Sequence, residues 1–344
     1  MDKIRVGIVH NIPLSHELAY SKSSEDIMSQ VEAIEYALKR LDHETCRIPF
    51  TRDLGSVISS LREEHPDIVF NMCETVDDNP AYAAHPAAIF ELLDLPFSGS
   101  PSTALMTTTD KVMTKRILRG KGIRTPNYLI YGGLGHFNPA CLQFPVIVKP
   151  RYEDASIGID QDSVFETEKA LKEGLRKFYD RFGSILVEEF IDGREFNVSL
   201  FGYQEARIMP IAEIDFSKYP EDLYPIVGYK AKWDEKSFEY HNSRRVFSPA
   251  LPQSLLWDIE RIAIECFHLF MLRDYGRIDM RVNRSGKIYV LEVNANPCLS
   301  PDAGFPAALE QAGITFKNMV QSFINFMKQR CSYGDQALRS AGQK

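Results

Sequence analysis

The chain has 344 residues, 44% of them hydrophobic and 25% charged, with a formal net charge of −7. That is the balance of a folded chain too long for one simple core, and it points to two or three packed domains. A net negative chain has no general attraction for nucleic acid or an anionic membrane, no apolar run approaches the ~20 residues that cross a bilayer, and the opening Met1-Asp-Lys-Ile-Arg-Val6 reads as a strand rather than a signal peptide. Six cysteines (Cys46, Cys73, Cys141, Cys266, Cys298 and Cys331) lack metal-type spacing, so buried free thiols in a reducing cytoplasm are expected.

Residues 4–9 form a short apolar strand, and residues 25–41 place Ile27, Val31, Ile34, Leu38 and Leu41 at helical spacing. A helix over 54–64, a strand over 67–70, a helix over 85–93 and a strand at 96–98 follow. Strands alternating with helices imply a parallel sheet covered on both faces, so residues 1–98 are expected to form an α/β domain. The hydroxyl-rich segment from residue 99 offers natural N-caps for a helix that starts near Lys111 and ends near 120–122, and it opens a second domain.

Residues 144–150 read as a buried strand with Lys149 at its end. The small-residue loop that follows, through Ser156 and Gly158, can aim backbone N–H groups at phosphate oxygens within reach of Lys149; a plain turn is the alternative. After a helix over 167–182, the strand 185–191 breaks its apolar run with Glu188 and Glu189, candidate partners for an adenine amino group and a ribose or else a solvated strand end. Asp192-Gly193 turns the chain into another strand.

Residues 215–248 are polar and aromatic without a period, which in a compact enzyme suggests a lid or binding loop. Its Lys230 and Lys232 could close over phosphates; a solvated charge pair is the bland reading. A helix over 252–272 precedes two strands, 277–283 and 287–294, separated by Arg284-Ser285-Gly286 and therefore read as an antiparallel hairpin. Past Cys298, the turn at Asp302 leads to a helix near 306–312 whose N-terminus could face an anion. The stripe from Phe316 to Met327 is a closing amphipathic helix, and 331–344 reads as a flexible tail.

The hairpin carries the chemistry. Side chains alternate along a strand, so Arg277 and Asp279 share one face, as do Glu292 and Asn294. A register pairing Val282 with Tyr289 sets Asp279 opposite Glu292, a repulsive pair unless a cation sits between them. Two carboxylates and an amide carbonyl are hard oxygen donors suited to Mg²⁺ with nucleotide phosphates.

Taken together, Lys111, Pro145-Val-Ile-Val-Lys149, Ser156-Ile-Gly158, Glu188 through Glu195, Tyr229-Lys-Ala-Lys232, Gly276-Arg277-Ile-Asp279 and Leu291-Glu292-Val-Asn294…Pro297 stand in the order and spacing of one family. The chain resembles the D-alanine–D-alanine ligases of the ATP-grasp superfamily over roughly residues 67–329. The resemblance implies an α/β ATP-grasp fold of three domains: residues 1–98, a central domain 99–190, and a C-terminal domain 191–330 bearing the lid. It implies that Lys111 and Lys149 contact ATP phosphates, that Glu188, Glu189 and Ile191 lie along the adenine side, and that Glu195 holds ribose. Asp279, Glu292 and Asn294 would bind Mg²⁺, or Mn²⁺ in its place, while Arg277, Lys232 and Ser156 would serve the reacting centre. It further implies a cytoplasmic enzyme, a homodimer being open, that activates a carboxylate with ATP and joins it to an amine.

The departures lie on the substrate side. The family's His-Gly pair is replaced by Asn71-Met-Cys-Glu74, its early Gly-Gly-x-Ser segment by His10 through Glu17, the serine beside Ser156 by Ala155, and the lid tyrosine by Trp233. Ala303, next to Asp302, stands where a carboxylate-binding serine falls. Glu74, Trp233, Asp302 and Ala303 are therefore candidate contacts for small amino-acid-like substrates other than two D-alanines. D-alanine–D-alanine ligase itself, a ligase of the kind that adds amino acids to mycosporines, and a non-catalytic nucleotide-binding regulator are the alternatives.

Overall fold

The computed structural model describes residues 3–13, 20–133 and 137–341, with side chains as far as Cys331. Glu17, considered above for an amine-binding role, lies outside the described residues.

The N-terminal part runs β1 (Arg5–Asn11), α1 (Ser21–Lys39), β2 (Glu44–Phe50), α2 (Leu54–Glu64), β3 (Ile68–Met72) and α3 (His85–Leu92). Its strands form a parallel sheet in the order β2-β1-β3, and Phe97 adds a parallel bridge beside Val69. β2 is absent from the sequence reading because it is an edge strand: only Ile48 and Phe50 are buried, and Pro49 interrupts the pattern where an edge tolerates it. Asp53 caps α2 by accepting from the Ser56 amide, and His65 ends it in the left-handed conformation.

Two helices, α4 (Ser102–Thr109) and α5 (Lys111–Gly120), lead to β4 (Tyr128–Tyr131), β5 (Val146–Pro150), β6 (Val164–Phe165), α6 (Glu168–Phe182) and β7 (Ile185–Glu189). These strands make an antiparallel sheet, β4-β7-β5-β6, whose core is closed by Leu171 and Leu175 of α6. Residues 99–123, expected to open the central domain, share their core elsewhere: Ala104, Leu105, Leu118 and Ile123 pack with Val198, Ile278 and Val290 of the last sheet.

That last sheet is built from β8 (Gly193–Gly202), β9 (Arg207–Ile208), β10 (Ala212–Asp215), β11 (Arg244–Phe247), β12 (Asp274–Asn283) and β13 (Ile288–Asn294). Its order is β11-β10-β8-β12-β13, with β9 on β8. One face carries Phe196, Val198, Ile278 and Met280 against α9 (Gln253–Leu269). The other face carries Glu195, Asn197, Arg277, Asp279 and Arg281, and it lines a cavity. The stretch 215–248 is not structureless: it holds α7 (Tyr229–Trp233), α8 (Phe238–Asn242) and β11. Pieces of four or five residues are too short to show a period.

Helix α10 (Gly304–Gln311) packs with α11 (Phe316–Ala341) against α1 and the N-terminal sheet, through Phe305, Leu309, Phe323 and Ile324. The helical backbone of α11 continues to Ala341, through most of the stretch read as a tail. The cysteines are free, but only Cys73 and Cys266 are buried; Cys46 and Cys298 are half-buried, and Cys141 and Cys331 are exposed. No helix is long and apolar enough to cross a membrane among the described residues.

Candidate active site

The hairpin forms with Asp279 opposite Glu292, but not through the expected register. Val282 pairs with Ile288, Arg281 with Tyr289 and Met280 with Val290; a bulge then shifts the pairing, so that Asp279 meets Glu292 and Arg277 meets Asn294. The extra residue is Leu291, which lines the cavity beside Glu292. Without the bulge, consecutive residues 291 and 292 would face opposite sides of the sheet. With it, an apolar wall and a carboxylate stand together while Val290 and Val293 stay in the core.

The two carboxylates face cations. Arg277 donates to both oxygens of Asp279, Nε to Oδ1 and Nη2 to Oδ2, each at 2.8 Å, and Asn197 Nδ2 adds a third bond to Oδ1 at 2.8 Å. Lys111 Nζ lies 3.4 Å from Glu292 Oε1 and 3.3 Å from Asp154 Oδ1, and also donates to the Glu153 carbonyl. Lys111 is held there by its helix start: Asp110 caps α5 through the amides of Val112 and Met113 and is clamped by Arg151, Nε to Oδ1 at 2.8 Å and Nη2 to Oδ2 at 2.5 Å. Burial alone pushes the Glu292 carboxyl up, but the charges of Lys111, Lys232 and Arg277 outweigh it and hold the group well below the usual carboxylate range. The Lys232 ammonium is pushed down, by burial first and by Arg277 second.

At the far end of β5 and β7, Glu188 is buried between two lysines. Lys149 Nζ meets Oε1 at 2.6 Å and Lys115 Nζ meets Oε2 at 2.6 Å. Lys115, which the sequence reading passed over, is as buried as Glu188, and its Nζ also donates to Thr125 Oγ1 at 2.8 Å. Both Glu188 oxygens are thus committed to positioning lysines. Glu189 turns outward instead, accepting from Asn127 Nδ2 at 3.0 Å and the Gln143 amide at 2.9 Å. Arg281 joins three segments: its Nε and Nη2 donate to Glu195 Oε2 at 3.0 and 2.8 Å, its Nη1 donates to the Ile191 carbonyl at 2.9 Å, and Nη2 also reaches the Pro225 carbonyl.

The segment expected to act as a lid rests on the small-residue loop. Ser156 Oγ donates to the Val227 carbonyl at 2.7 Å, Trp233 Nε1 donates to the Ala155 carbonyl at 3.0 Å, and the Tyr229 amide donates to the Ile159 carbonyl at 2.7 Å. Lys22 of α1 donates to the Trp233 carbonyl at 3.1 Å, and Tyr20 meets Tyr229 edge-on with ring centroids 4.7 Å apart. Ala155 and Ser156 both have positive φ, 54° and 62°, which turns the loop sharply where Gly158 could take no Cβ: one would stand 2.7 Å from Phe182 and Pro150.

Every residue expected above to serve catalysis, ATP, metal or substrate lines one cavity of about 770 Å³, including Glu74, Asp302 and Ala303; Lys230, also considered for closing over phosphates, is not among its lining and lies 3.7 Å from Asp160 Oδ2 instead. What pattern reading missed there is the wall from α1. Gln30 Nε2 bridges Asp26 Oδ2 at 3.1 Å and Glu74 Oε1 at 3.0 Å, while Ser300 Oγ and Cys298 Sγ donate to Asp26 at 2.7 and 3.1 Å. Ser23, Asp26 and Gln30 share one helical face, and the polar break in its apolar stripe is the signal that could have found them. Burial raises the Glu74 carboxyl to about 7.

A family model described as D-ala D-ala ligase C-terminus matches residues 138–325. A D-alanine–D-alanine ligase of Aquifex aeolicus is 28% identical over 305 residues, covering 88% of this chain and 96% of its own length. One from Marinomonas is 30% identical over 244 residues, 68% of this chain and 70% of its own. An uncharacterized protein of Sinorhizobium fredii is 28% identical over 305 residues, 87% of each chain. The crystal structure of a D-alanine–D-alanine ligase from Bacillus anthracis complexed with ATP superposes with a TM-score of 0.76 at 20% identity, covering 96% of this chain and 99% of that one. The fold is therefore the ATP-grasp fold, and the chain belongs to the D-alanine–D-alanine ligase family of ATP-dependent ligases.

Proposed function

We propose that the protein uses ATP to phosphorylate a carboxylate and then joins it to the amine of a small amino acid, forming a C–N bond with release of ADP and phosphate. The carrying observation is the convergence of Lys111, Lys232 and Arg277 on Asp279 and Glu292 in one cavity. Phosphoryl transfer needs positioning and charge neutralisation more than a covalent nucleophile. Lys111 and Lys149 bind the nucleotide phosphates, the latter oriented by Glu188. Ile191, Glu195 and the apolar Ile147 and Leu186 bound the nucleoside end. Lys232, carried by the lid, meets the terminal phosphate, and Ser156 with Trp233 keeps that lid on the loop beneath. Arg277 stabilises negative charge at the acyl centre.

The donor set fits a hard divalent cation. Asp279, Glu292 and Asn294 supply two carboxylates and one amide oxygen, Glu292 is held ionised, and no group of three or more His, Cys, Asp or Glu side chains forms a fuller cage among the described residues. Such a partial set suits Mg²⁺, which keeps waters and phosphate oxygens in its remaining positions, or Mn²⁺ in its place. When bound, the ion neutralises charge on the phosphates.

The test is ADP release with Mg·ATP and a panel of amino acids, alone and in pairs. Absence of ADP with every combination, from protein that binds ATP, overturns the reading. A second reading, D-alanine–D-alanine ligation itself, is favoured by the relatives so named. Dipeptide formed from D-alanine alone would decide for it.

A further inference from the structure

Arg277, Asp279 and Arg281 alternate along β12 and so share one face of the sheet. Arg277 serves Asp279 at the end proposed for the metal. Arg281, only 3% exposed, stands opposite Glu195 in the pairing of β8 with β12, at the end proposed for the nucleoside. Its Nε and Nη2 both donate to the same carboxylate oxygen, Oε2, at 3.0 and 2.8 Å. Oε1 accepts no hydrogen bond among the described residues, and Glu195 lines the cavity.

The guanidinium is not free to swing round and take the second oxygen. Nη1 donates to the Ile191 carbonyl at 2.9 Å, Nη2 also reaches the Pro225 carbonyl, and the ring centroid of Phe190 lies 4.9 Å from Cζ. Those partners are fixed in turn. Tyr224, next to Pro225, exchanges two hydrogen bonds with the Gln161 side chain, at 2.8 and 3.1 Å, and its ring meets Phe190 edge-on at 5.2 Å. A planar fork anchored on two backbone carbonyls holds the carboxylate it grips in one orientation, which a point charge on a flexible stem would not do. One charged oxygen is thereby preorganised beside Phe190, Ile191 and Ile214, which line the same cavity. A fixed anionic acceptor beside an apolar wall suits a group with hydroxyl donors next to a flat ring, as in a nucleoside.

We propose that Arg281 is a positioning residue for sugar recognition: by gripping Oε2 it presents Oε1 of Glu195 to the ribose hydroxyls, and so makes the enzyme prefer ATP to its deoxy analogues. This deepens the ATP reading above and rests on it. Arg281 acts through Glu195 and does not itself touch the nucleotide.

The experiment measures binding rather than turnover. Mg·ATP, Mg·2′-deoxy-ATP and Mg·3′-deoxy-ATP are titrated calorimetrically, without any amino acid, into wild type, Glu195→Gln, Arg281→Met and Arg281→Lys, each first melted to confirm that it is folded. Wild type binds ATP roughly 10-fold or more tightly than the weaker deoxy analogue, the scale of one hydrogen bond to a charged group. Glu195→Gln and Arg281→Met bring that ratio to within about three-fold of one. Arg281→Lys keeps a cation opposite Glu195, so it spares the fold where Arg281→Met strands a carboxylate, but it lacks the fork and gives a ratio between the two. Combining Arg281→Lys with Glu195→Gln lowers the ratio no further than Glu195→Gln alone, because both act on one contact. A folded Arg281→Lys that keeps the wild-type ratio overturns the proposal. So does an equal loss of affinity for all three nucleotides, which would make the residue merely structural. Wild type that binds ATP without regard to its sugar overturns this proposal alone, and wild type that binds none of the three overturns the ATP reading with it.

Discussion

Glu188→Gln is the substitution with the clearest arithmetic. Glu188 and Lys115 are each 1% exposed and Lys149 is 15% exposed, with both lysines 2.6 Å from the carboxylate. The cluster as built holds two positive charges and one negative. Replacing the carboxylate by an amide leaves two buried ammonium groups facing each other, and Lys115 keeps only the Thr125 hydroxyl and the face of Tyr128. Removing one member of a buried pair costs ~3–5 kcal/mol, which at about 2–4 °C per kcal/mol corresponds to a fall in melting temperature of about 6–12 °C at the lower figure. The companion Lys115→Met/Glu188→Gln removes one stranded charge and should recover much of that loss. The pH dependence has a definite sign. Attraction to the lysines outweighs burial and lowers the Glu188 pKa from its ordinary 4.5. Its stabilisation is therefore complete above that value and lost as the pH falls through the lower folded value, so wild type and variant should converge in acid. Differential scanning calorimetry from pH 3 to 8 measures this. A Glu188→Gln protein that melts within 1–2 °C of wild type at neutral pH would refute the reasoning, by showing that the lysines find other partners or lose their protons at little cost.

Glu292→Gln should lower kcat by about 100-fold or more while nucleotide affinity changes far less, because the lost charge acts mainly where charge develops in the transfer; unchanged turnover would remove the metal assignment. Trp233→Phe keeps a ring in the lid but loses the indole bond to the Ala155 carbonyl, a net ~1 kcal/mol, and should raise the ATP KM about five-fold. Trp257 is the other tryptophan, so a Trp257→Phe background makes Trp233 the sole fluorescent reporter of the lid, and a signal blind to ATP would count against its closing role. Burial raises the Glu74 carboxyl to about 7, so if its anion receives a cationic amine, kcat/KM should rise with pH through that value in wild type and lose that limb in Glu74→Gln. The same shift makes ionised Glu74 a liability to the fold: folded protein holds the proton more tightly, stability is lost as the pH rises from about 4.5 toward 7, and Glu74→Gln should gain relative stability above 7.

The half of the cavity proposed to take ATP was readable because its residues sit on regular elements with strong local signals. Lys149 ends an apolar strand, and Asp279, Glu292 and Asn294 occupy alternating positions in a hairpin with an evident turn. Even there the strand register was read wrongly near the turn, and the opposition of Asp279 to Glu292 holds only because the bulge at Leu291 makes up the difference. A bulge is a one-residue tertiary event without a signature in an alternating pattern. Lys115, Asp26 and Gln30 went unremarked for a related reason: each looks like an ordinary polar residue on a helix until a partner from a distant segment faces it, Glu188 for the first and Glu74 for Gln30.

From the sequence alone came the α/β alternation, the hairpin, the long aperiodic lid segment and a set of lysines, arginine and carboxylates in an order specific to one family. The first three follow from periodicity and spacing, which are local; the last rests on the resemblance to that family. The tertiary structure alone decided that helices 102–120 share a core with the last sheet, that Glu188 is locked between two lysines, that Gln30 of α1 joins Asp26 to Glu74, and that Trp233 rests on the loop at Ala155. Those are contacts between segments far apart in the chain. The pattern along a segment tells which of its faces is apolar, but not which partner that face or its polar opposite will meet.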